Sequence, residues 1–270
     1  MTDEQYAFDM PEGGSQGLDI LDYCFNTTTQ TFLQNSGLKQ GMQVLEIGCG
    51  SGVMSTWIAQ QIGPNGHLIA IDNNTEQLKA AQKHADRLGL ANIDFHEWDV
   101  NCIEAIGQSF DLIYCRFVLH HLIKPQSALE SFYNLLRSGG IVACEEGIVS
   151  HGFSYPYNQA FGNDRFNIID YHANREGTER DPNFGIKLYH SLHQQGFQNL
   201  TTQLIAPLLT TYQEKQLLKP GILEFKRSYL EQGHTEQDWQ NLLHDLEQLI
   251  ADDSAIVAFY QSMQVKGLKL

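Results

Sequence analysis

The chain has 270 residues, and 17 lysines and arginines against 32 aspartates and glutamates give it a formal net charge of −15. This length allows one large domain with a sizeable core, and 42% apolar with 18% charged residues argues against intrinsic disorder. The negative charge repels phosphate backbones, and no run of lysines and arginines supplies a local basic patch. We therefore expect no nucleic-acid partner.

The sequence also predicts a compartment. It has no run of the roughly 18 apolar residues that a membrane helix needs. The acidic first ten residues lack the basic start and apolar middle of a secretory signal. The five cysteines are scattered and never form a CxxC pair, which argues against a disulfide framework or a thiolate metal site. We expect a cytoplasmic protein without a membrane partner or a metal, and the sequence leaves its oligomeric state open.

From residue 43 onward, short apolar runs alternate with amphipathic stretches, which is typical of βαβ units around a parallel sheet. The pattern predicts strands at 43–47, 67–71, from 93, at 110–115 and at 140–144, with helices at 51–62, 75–88 and 125–137. After residue 146 the rhythm breaks. It resumes with a helix near 184–195, a strand around 200–209, a helical pair whose second helix begins at Thr235, and a last strand at 255–266.

These elements predict a single α/β domain over residues 1–270. Its predicted parts are an N-terminal helical lid (1–40), a cofactor-binding core (41–146), a substrate-covering insert (147–181) and a C-terminal part of the sheet with an inserted helical pair (182–270).

A glycine-rich loop after the first strand is the most informative segment. Residues 44–52 read VLEIGCGSG, so Gly48, Gly50 and Gly52 lie between a strand and a helix, where glycine lets the backbone turn sharply and approach a ligand. The GxGxG spacing differs from the GxGxxG of dinucleotide sites, and Glu46 adds a carboxylate that suits a cationic ligand better than a pyrophosphate. Taken alone, the loop also fits a purely structural turn.

Two acids after the next strands extend the pattern. Asp72 ends the second strand, where a carboxylate can bind both hydroxyls of a ribose. Asp99 follows the third strand, where it can accept a hydrogen bond from an adenine amino group while Trp98 or Val100 covers the ring. Each acid alone also fits a solvated strand end. Together with Glu46 and the glycine loop, they predict an adenosine that carries a charged tail without phosphates.

Five segments in order, VLEIGCGSG, AIDNN, WDV, FDLIYCRFVLHHL and LLRSGG, resemble a class I S-adenosylmethionine-dependent methyltransferase over residues 43–146. Their style is similar to the ubiquinone/menaquinone-biosynthesis-like group of small-molecule methyltransferases. The resemblance implies a Rossmann-like fold, with a doubly wound, seven-stranded, mostly parallel sheet, an antiparallel last strand and helices on both faces. It implies methyl transfer from S-adenosyl-L-methionine to a small organic acceptor by in-line displacement, with S-adenosyl-L-homocysteine as product. The cofactor-binding residues that it implies are Glu46, Gly48, Cys49, Gly50, Gly52, Asp72, Asn73, Gln77, Asp99, Val100, Cys115 and Arg116.

The sequence leaves the catalytic residue open, because methyl transfer from a sulfonium depends mainly on alignment and needs a base only for a poorly nucleophilic acceptor. The candidate bases are His120, His121 and His151, and packing or helix capping is the alternative for the first two. The candidate substrate-binding residues are Tyr6, Glu146, Tyr155, Tyr157 and Phe161. For the aromatic residues of the insert, ordinary packing of a lid onto the sheet is the alternative.

Three other functions stay open. The chain fits a non-catalytic S-adenosylmethionine-binding or regulatory protein and, less well, a protein methyltransferase or an NAD-dependent Rossmann oxidoreductase. The GxGxG spacing disfavours the oxidoreductase. A nucleobase amino-methyltransferase is disfavoured because residues 115–118 read CRFV, where that class has a Pro-Pro motif.

Overall fold

The computed structural model describes residues 14–158, 180–223, 226–258 and 261–270, with the side chains of residues 14–20 and of 221 left aside. The described residues fall into two compact units. The large-sheet unit takes its residues from 28–147, 183–204 and 262–270, and the small-sheet unit from 1–27, 148–182 and 205–261.

Ten strands lie in the described residues. In chain order they are β1 (Gln43–Ile47), β2 (His67–Asp72), β3 (Ile93–Glu97), β4 (Phe110–Arg116), β5 (Leu136–Ile148), β6 (Phe153–Tyr155), β7 (Gln198–Ile205), β8 (Leu208–Leu209), β9 (Ile256–Ala258) and β10 (Gln261–Leu268). The large sheet has the order β3-β2-β1-β4-β5-β10-β7, and the small sheet has the order β6-β9-β8.

The helices of the described residues connect and cover these strands. They are α1 (Gly14–Ser36), α2 (Val53–Ile62), α3 (Thr75–Arg87), α4 (Pro125–Leu135), α5 (Phe184–Gln194), α6 (Tyr212–Lys215), α7 (Leu218–Leu223), α8 (Lys226–Glu231) and α9 (Glu236–Ala251), with 3-10 helices at Val100–Ile106 and Leu119–His121. None of the helices in the described ranges combines the length and the apolar character needed to cross a membrane.

The register of the large sheet confirms the predicted parallel core. β1 pairs in parallel with both β2 and β4, so Leu45 lies opposite Ile69 on one side and Ile113 on the other. β10 runs against β5, because Gly139 N donates to Lys269 O and Lys269 N donates to Gly140 O while the other end of β10 lies beside the end of β5. The predicted seven-stranded, mostly parallel sheet with an antiparallel last strand is therefore confirmed.

Apolar side chains fill both faces of the large sheet. Leu45 and Ile47 belong to a buried cluster with residues of α4 and α5. Val44 belongs to a second cluster with Phe32 and Leu33 of α1 and with residues of α2 and α3. Burial on both faces explains why the parallel strands read as continuous apolar runs rather than as alternating patterns.

The small-sheet unit contains three antiparallel strands and the last four helices. β9 lies between β6 and β8, with Val257 opposite both Ser154 and Leu209. Thr235 caps α9 as predicted, since its hydroxyl accepts from the backbone N–H of Asp238 in a capping box.

Four predicted boundaries were wrong. The predicted strands 200–209 and 255–266 are each two strands, one in the large sheet and one in the small sheet. Pro207 separates β7 from β8, because proline has no N–H for a strand ladder. α4 ends at Leu135 and β5 begins at Leu136, four residues before the predicted start, and the predicted helical pair is four helices.

Candidate functional site

The glycine loop between β1 and α2 holds three glycines with positive φ. The angles are 71° at Gly48, 51° at Gly50 and 79° at Gly52. A Cβ on Gly48 would collide with Val118 Cγ2, and one on Gly52 would lie 2.6 Å from Ala81 Cβ. A Cβ on Gly50 would meet no atom within 4 Å. Protein packing therefore accounts for the first and third glycines, while the middle one leaves open space beside the loop.

Asp72 ties the glycine loop to the end of β2. Its Oδ2 accepts from Gly50 N at 2.8 Å, and its Oδ1 accepts from Asn74 N at 2.9 Å. A second link joins Gly48 N to Ile71 O at 2.8 Å. Asp72 is half-buried, at the carboxyl end of β2, the edge at which parallel sheets bind their ligands.

Glu46 and Cys49 lie at the base of the loop. Glu46 is 2% exposed on β1, and Cys49 is also buried. Burial raises the pKa of the Cys49 thiol well above its ordinary value, and the negative charges of Glu46 and Asp72 raise that pKa further. The thiol therefore stays protonated at neutral pH, and the two carboxylates make this part of the site negative, which suits a cationic ligand.

The start of α3 carries three polar residues near Asp72. Asn73 is exposed and Gln77 is half-buried. Asn74, which sequence reasoning missed, is the N-cap of α3, and its Oδ1 accepts from Glu76 N at 2.9 Å and from Gln77 N at 3.1 Å. An Asn directly before a Thr-Glu helix start is the signal that identifies such a cap.

Asp99 and Val100 follow β3, next to the end of β2. Trp98 N donates to Asp72 O at 2.9 Å, which joins the two strand ends. Asp99 is exposed, and its Oδ1 accepts from the backbone and side-chain nitrogens of Asn101 at 2.9 and 2.8 Å. This oxygen caps the 3-10 helix that follows, and Val100 is buried. Asp99 thus has a local structural role besides the ligand contact that the resemblance implies.

Cys115, near the end of β4, lies opposite Cys144 of β5, and both are fully buried. Burial raises the pKa of the Cys115 thiol well above its ordinary value, and the neighbouring Cys144 and Glu146 raise it further. Both thiols are therefore core groups that stay protonated at neutral pH.

Glu145 and Glu146 are adjacent, fully buried acids at the end of β5, and successive residues of a strand point to opposite faces. Glu145 Oε2 accepts from Thr29 Oγ1 of α1 at 2.7 Å, and its Oε1 accepts from Ser262 Oγ of β10 at 2.7 Å. Arg116 donates to the same Thr29 hydroxyl at 3.3 Å, so this arginine belongs to the network on the α1 face. Sequence reasoning missed the network because each of its hydrogen-bonded pairs is more than 80 residues apart in the chain.

Glu146 faces the other side, toward the turn after β4. Its Oε1 accepts from Val118 N at 3.0 Å and from Leu119 N at 2.7 Å. Its Oε2 lies 2.7 Å from His120 Nδ1. The carboxylate thus holds the turn in place, whereas the sequence suggested a substrate contact for it.

The remaining candidates are His121, three residues of the small-sheet unit and two residues outside the described ranges. His121 is half-buried, with its ring centroid 3.9 Å from that of His120. His151, Tyr155 and Tyr157 belong to the small-sheet unit, where His151 is exposed and the two tyrosines are each 74% exposed. Tyr6 and Phe161 fall outside the described residues. Within the described ranges, no group of three or more His, Cys, Asp or Glu side chains has the arrangement of a metal site.

Comparison with protein families matches residues 38–161 to a family described as a methyltransferase domain. Over 109 residues, the chain is 32% identical to the ubiquinone/menaquinone biosynthesis C-methyltransferase UbiE of Pseudoalteromonas translucida. This alignment covers 40% of this chain and 43% of that protein. Over 110 residues, it is 36% identical to the arsenite methyltransferase of Aquipseudomonas alcaligenes. This second alignment covers 38% of this chain and 32% of that protein. The chain thus matches less than half of the length of these curated relatives.

Among solved structures, a putative methyltransferase from Bacillus halodurans superposes with a TM-score of 0.58 at 17% identity, covering 90% of this chain and 99% of that chain. The likeness supports the fold assignment. The family match and the curated relatives confirm, for the matched part of the chain, the resemblance drawn from the glycine loop and the strand-end acids.

Proposed function

We propose that this chain, in which residues 38–161 form an S-adenosylmethionine-dependent methyltransferase domain, methylates a small organic acceptor by in-line displacement and releases S-adenosylhomocysteine. The observation that carries the proposal is the open space at Gly50. There Gly50 has φ 51°, its N–H donates to Asp72 Oδ2, and no atom of the described residues, apart from its chain neighbours, lies within 4 Å of a built Cβ.

The residues around this space fit the cofactor. The loop backbone would hold the methionine part, close to the carboxylate of Glu46. The carboxylate of Asp72, at the carboxyl end of β2, would bind the ribose hydroxyls. The segment 98–100, tied to β2 through Trp98, would frame the adenine. These carboxylates suit a sulfonium and would repel a pyrophosphate, which disfavours a nicotinamide cofactor.

The chemistry of such a site divides between the cofactor and the protein. The cofactor, when bound, supplies an activated methyl group and a good leaving group. The protein would supply alignment at the carboxyl ends of the parallel strands. Within this proposal, the cytoplasm is the compartment, and the net charge of −15 supports an acceptor other than nucleic acid.

Calorimetry with S-adenosylhomocysteine tests the binding half of the proposal. We expect Asp72→Ala to weaken binding at least tenfold, which is about 1.4 kcal/mol, because two charge-assisted hydrogen bonds to the ribose are lost. Asp94→Ala is the matched control, since Asp94 is an exposed strand acid that pairs with His67. Equal affinities of the Asp72→Ala variant and the wild type would rule out the ribose assignment.

Incubation of the protein with labelled S-adenosylmethionine tests the transfer half. The acceptors are a metabolite extract, a panel of phenols, and arsenite, which the name of one relative suggests. A labelled product supports the enzyme. Tight binding of S-adenosylhomocysteine without any labelled product would favour a regulatory, non-catalytic protein, and stabilisation by NAD alone would favour an oxidoreductase.

A further inference from the structure

One buried carboxylate organises the turn that follows β4. Glu146 is fully buried, and its two oxygens accept from three consecutive backbone N–H groups, those of Val118, Leu119 and His120, at 3.0, 2.7 and 3.3 Å. A carboxylate without solvent contact is stabilised only by such donors. This requirement fixes the turn relative to β5.

The same carboxylate orients the imidazole of His120. Glu146 Oε2 lies 2.7 Å from His120 Nδ1. An ionised carboxylate only accepts hydrogen bonds, so Nδ1 carries a proton and, in the neutral ring, Nε2 has the free electron pair. The His120 side chain is 10% exposed, and the described part of the chain places no hydrogen-bond partner on Nε2.

The turn lies against the glycine loop. Val118 packs so closely on Gly48 that a Cβ there would collide with it. Phe117, one residue earlier, has φ 56°, an uncommon angle for a residue with a side chain, and such strain persists where the surroundings impose it. The turn that carries His120 is therefore packed against the loop through Val118, at the carboxyl end of β4, the edge where parallel sheets bind their ligands.

We propose that His120 is the general base of the reaction and that Glu146 is its positioning residue, so that the methyl acceptor is a hydroxyl compound such as a phenol or an enol. This inference rests on the proposed methyl transfer. In the step, the hydroxyl proton moves to His120 Nε2 and an oxygen electron pair forms the new O–CH3 bond. The electron pair of the breaking S–CH3 bond stays on sulfur, so the positive charge passes from the sulfonium to the imidazolium. Glu146 stabilises that imidazolium.

Two other histidines show a different arrangement. His151 is exposed, and its Nδ1 contacts Ser150 Oγ at 3.1 Å. His67 also contacts a carboxylate, Asp94, at 3.0 Å, but that pair is exposed and lies at the start of β2, on the opposite edge of the sheet. The pair His67–Asp94 is for this reason a suitable control.

A first experiment uses nuclear magnetic resonance of the full chain labelled with 15N in its histidines, and it needs no acceptor. His120→Gln identifies the signal. We expect the neutral form of the wild-type ring to carry its proton on Nδ1, and Glu146→Gln to change the 15N shifts of that ring, while His67→Gln leaves them unchanged. An Nε2–H tautomer, or a ring whose shifts ignore Glu146→Gln, would overturn the proposal.

A second experiment compares phenols of different acidity with labelled S-adenosylmethionine. We expect His120→Gln to lower methylation of phenols that ionise near pH 10 by about 10²- to 10⁴-fold. Nitrophenols that are already ionised need no base and should lose far less activity. The affinity for S-adenosylhomocysteine should stay within about threefold of the wild type, which shows that the variant is folded.

The outcomes separate the two proposals. An equal loss for both classes of phenol would indicate a structural role and overturn the base. Methylation of amines or arsenite by the wild type, with no hydroxyl acceptor used, would overturn this inference and leave methyl transfer standing. Failure of the wild type to methylate anything would overturn both.

Discussion

Substitution of Gly50 by alanine is the sharpest test of the site, because the structure separates its effect on stability from its effect on binding. A Cβ at Gly50 would meet no protein atom within 4 Å, so the stability cost comes only from the left-handed backbone angle of 51°. That cost is about 1–2 kcal/mol of unfolding free energy for an L-residue. Gly89 is the matched control, with φ 67° and also no atom within 4 Å of a built Cβ.

Both variants should therefore unfold in denaturant with similar losses of free energy. Only Gly50→Ala should lose affinity for S-adenosylhomocysteine, by at least tenfold or about 1.4 kcal/mol. The reason is that the alanine side chain would fill space that the amino-acid part of the ligand needs. Calorimetry on the two folded variants measures the difference. Wild-type affinity in Gly50→Ala would refute the reasoning, since it would mean that the open space beside the loop is not the ligand site.

Three further predictions concern stability and thiol chemistry. Gly52→Ala should lower the unfolding free energy by about 2–5 kcal/mol in denaturant titration. The reason is that its Cβ would lie 2.6 Å from Ala81 Cβ at a φ of 79°. A loss no larger than that of Gly89→Ala would contradict this prediction. Glu145→Ala should lower the unfolding free energy by about 2–6 kcal/mol in the same assay, since it leaves the buried hydroxyls of Thr29 and Ser262 without their acceptor. An unchanged unfolding free energy would exclude the network as a stabilising element. Burial raises the pKa of Cys115 and Cys144 above the ordinary thiol pKa of 9.0. Above that pH the thiols ionise in the unfolded chain but not in the folded one. The free energy of unfolding should therefore fall by up to about 1.4 kcal/mol per pH unit for each thiol. The double variant Cys115→Ala/Cys144→Ala should flatten that decline, and an unchanged slope would contradict the assignment.

Much of the large sheet is predictable from local sequence. β1, β2 and β4 are apolar runs bounded by turn residues, and their predicted bounds agree with the structure to within one residue. The glycine loop and Asp72 are predictable for the same reason, because both lie directly at strand ends, and strand ends of a parallel sheet share one edge. The structure places them within hydrogen-bond distance, 2.8 Å from Gly50 N to Asp72 Oδ2.

The C-terminal part of the chain was harder to predict. Apolar residues continue through 200–209 and through 255–266, so periodicity alone indicates one strand in each segment. Each segment instead contributes to two sheets. The choice of sheet depends on which partner strand is adjacent, and that is a property of the fold rather than of the segment.

The dipeptide Glu145-Glu146 shows where local and tertiary information divide. The sequence by itself determined that two acids stand at the end of β5, at the edge that binds ligands, and suggested a substrate role for them. Only the tertiary structure decided their partners, because neighbouring strand residues face opposite ways: Glu145 meets Thr29 and Ser262, and Glu146 meets the turn at His120. A buried carboxylate must find donors, and these donors lie 26 to 117 positions away in the chain, a distance that only folding closes.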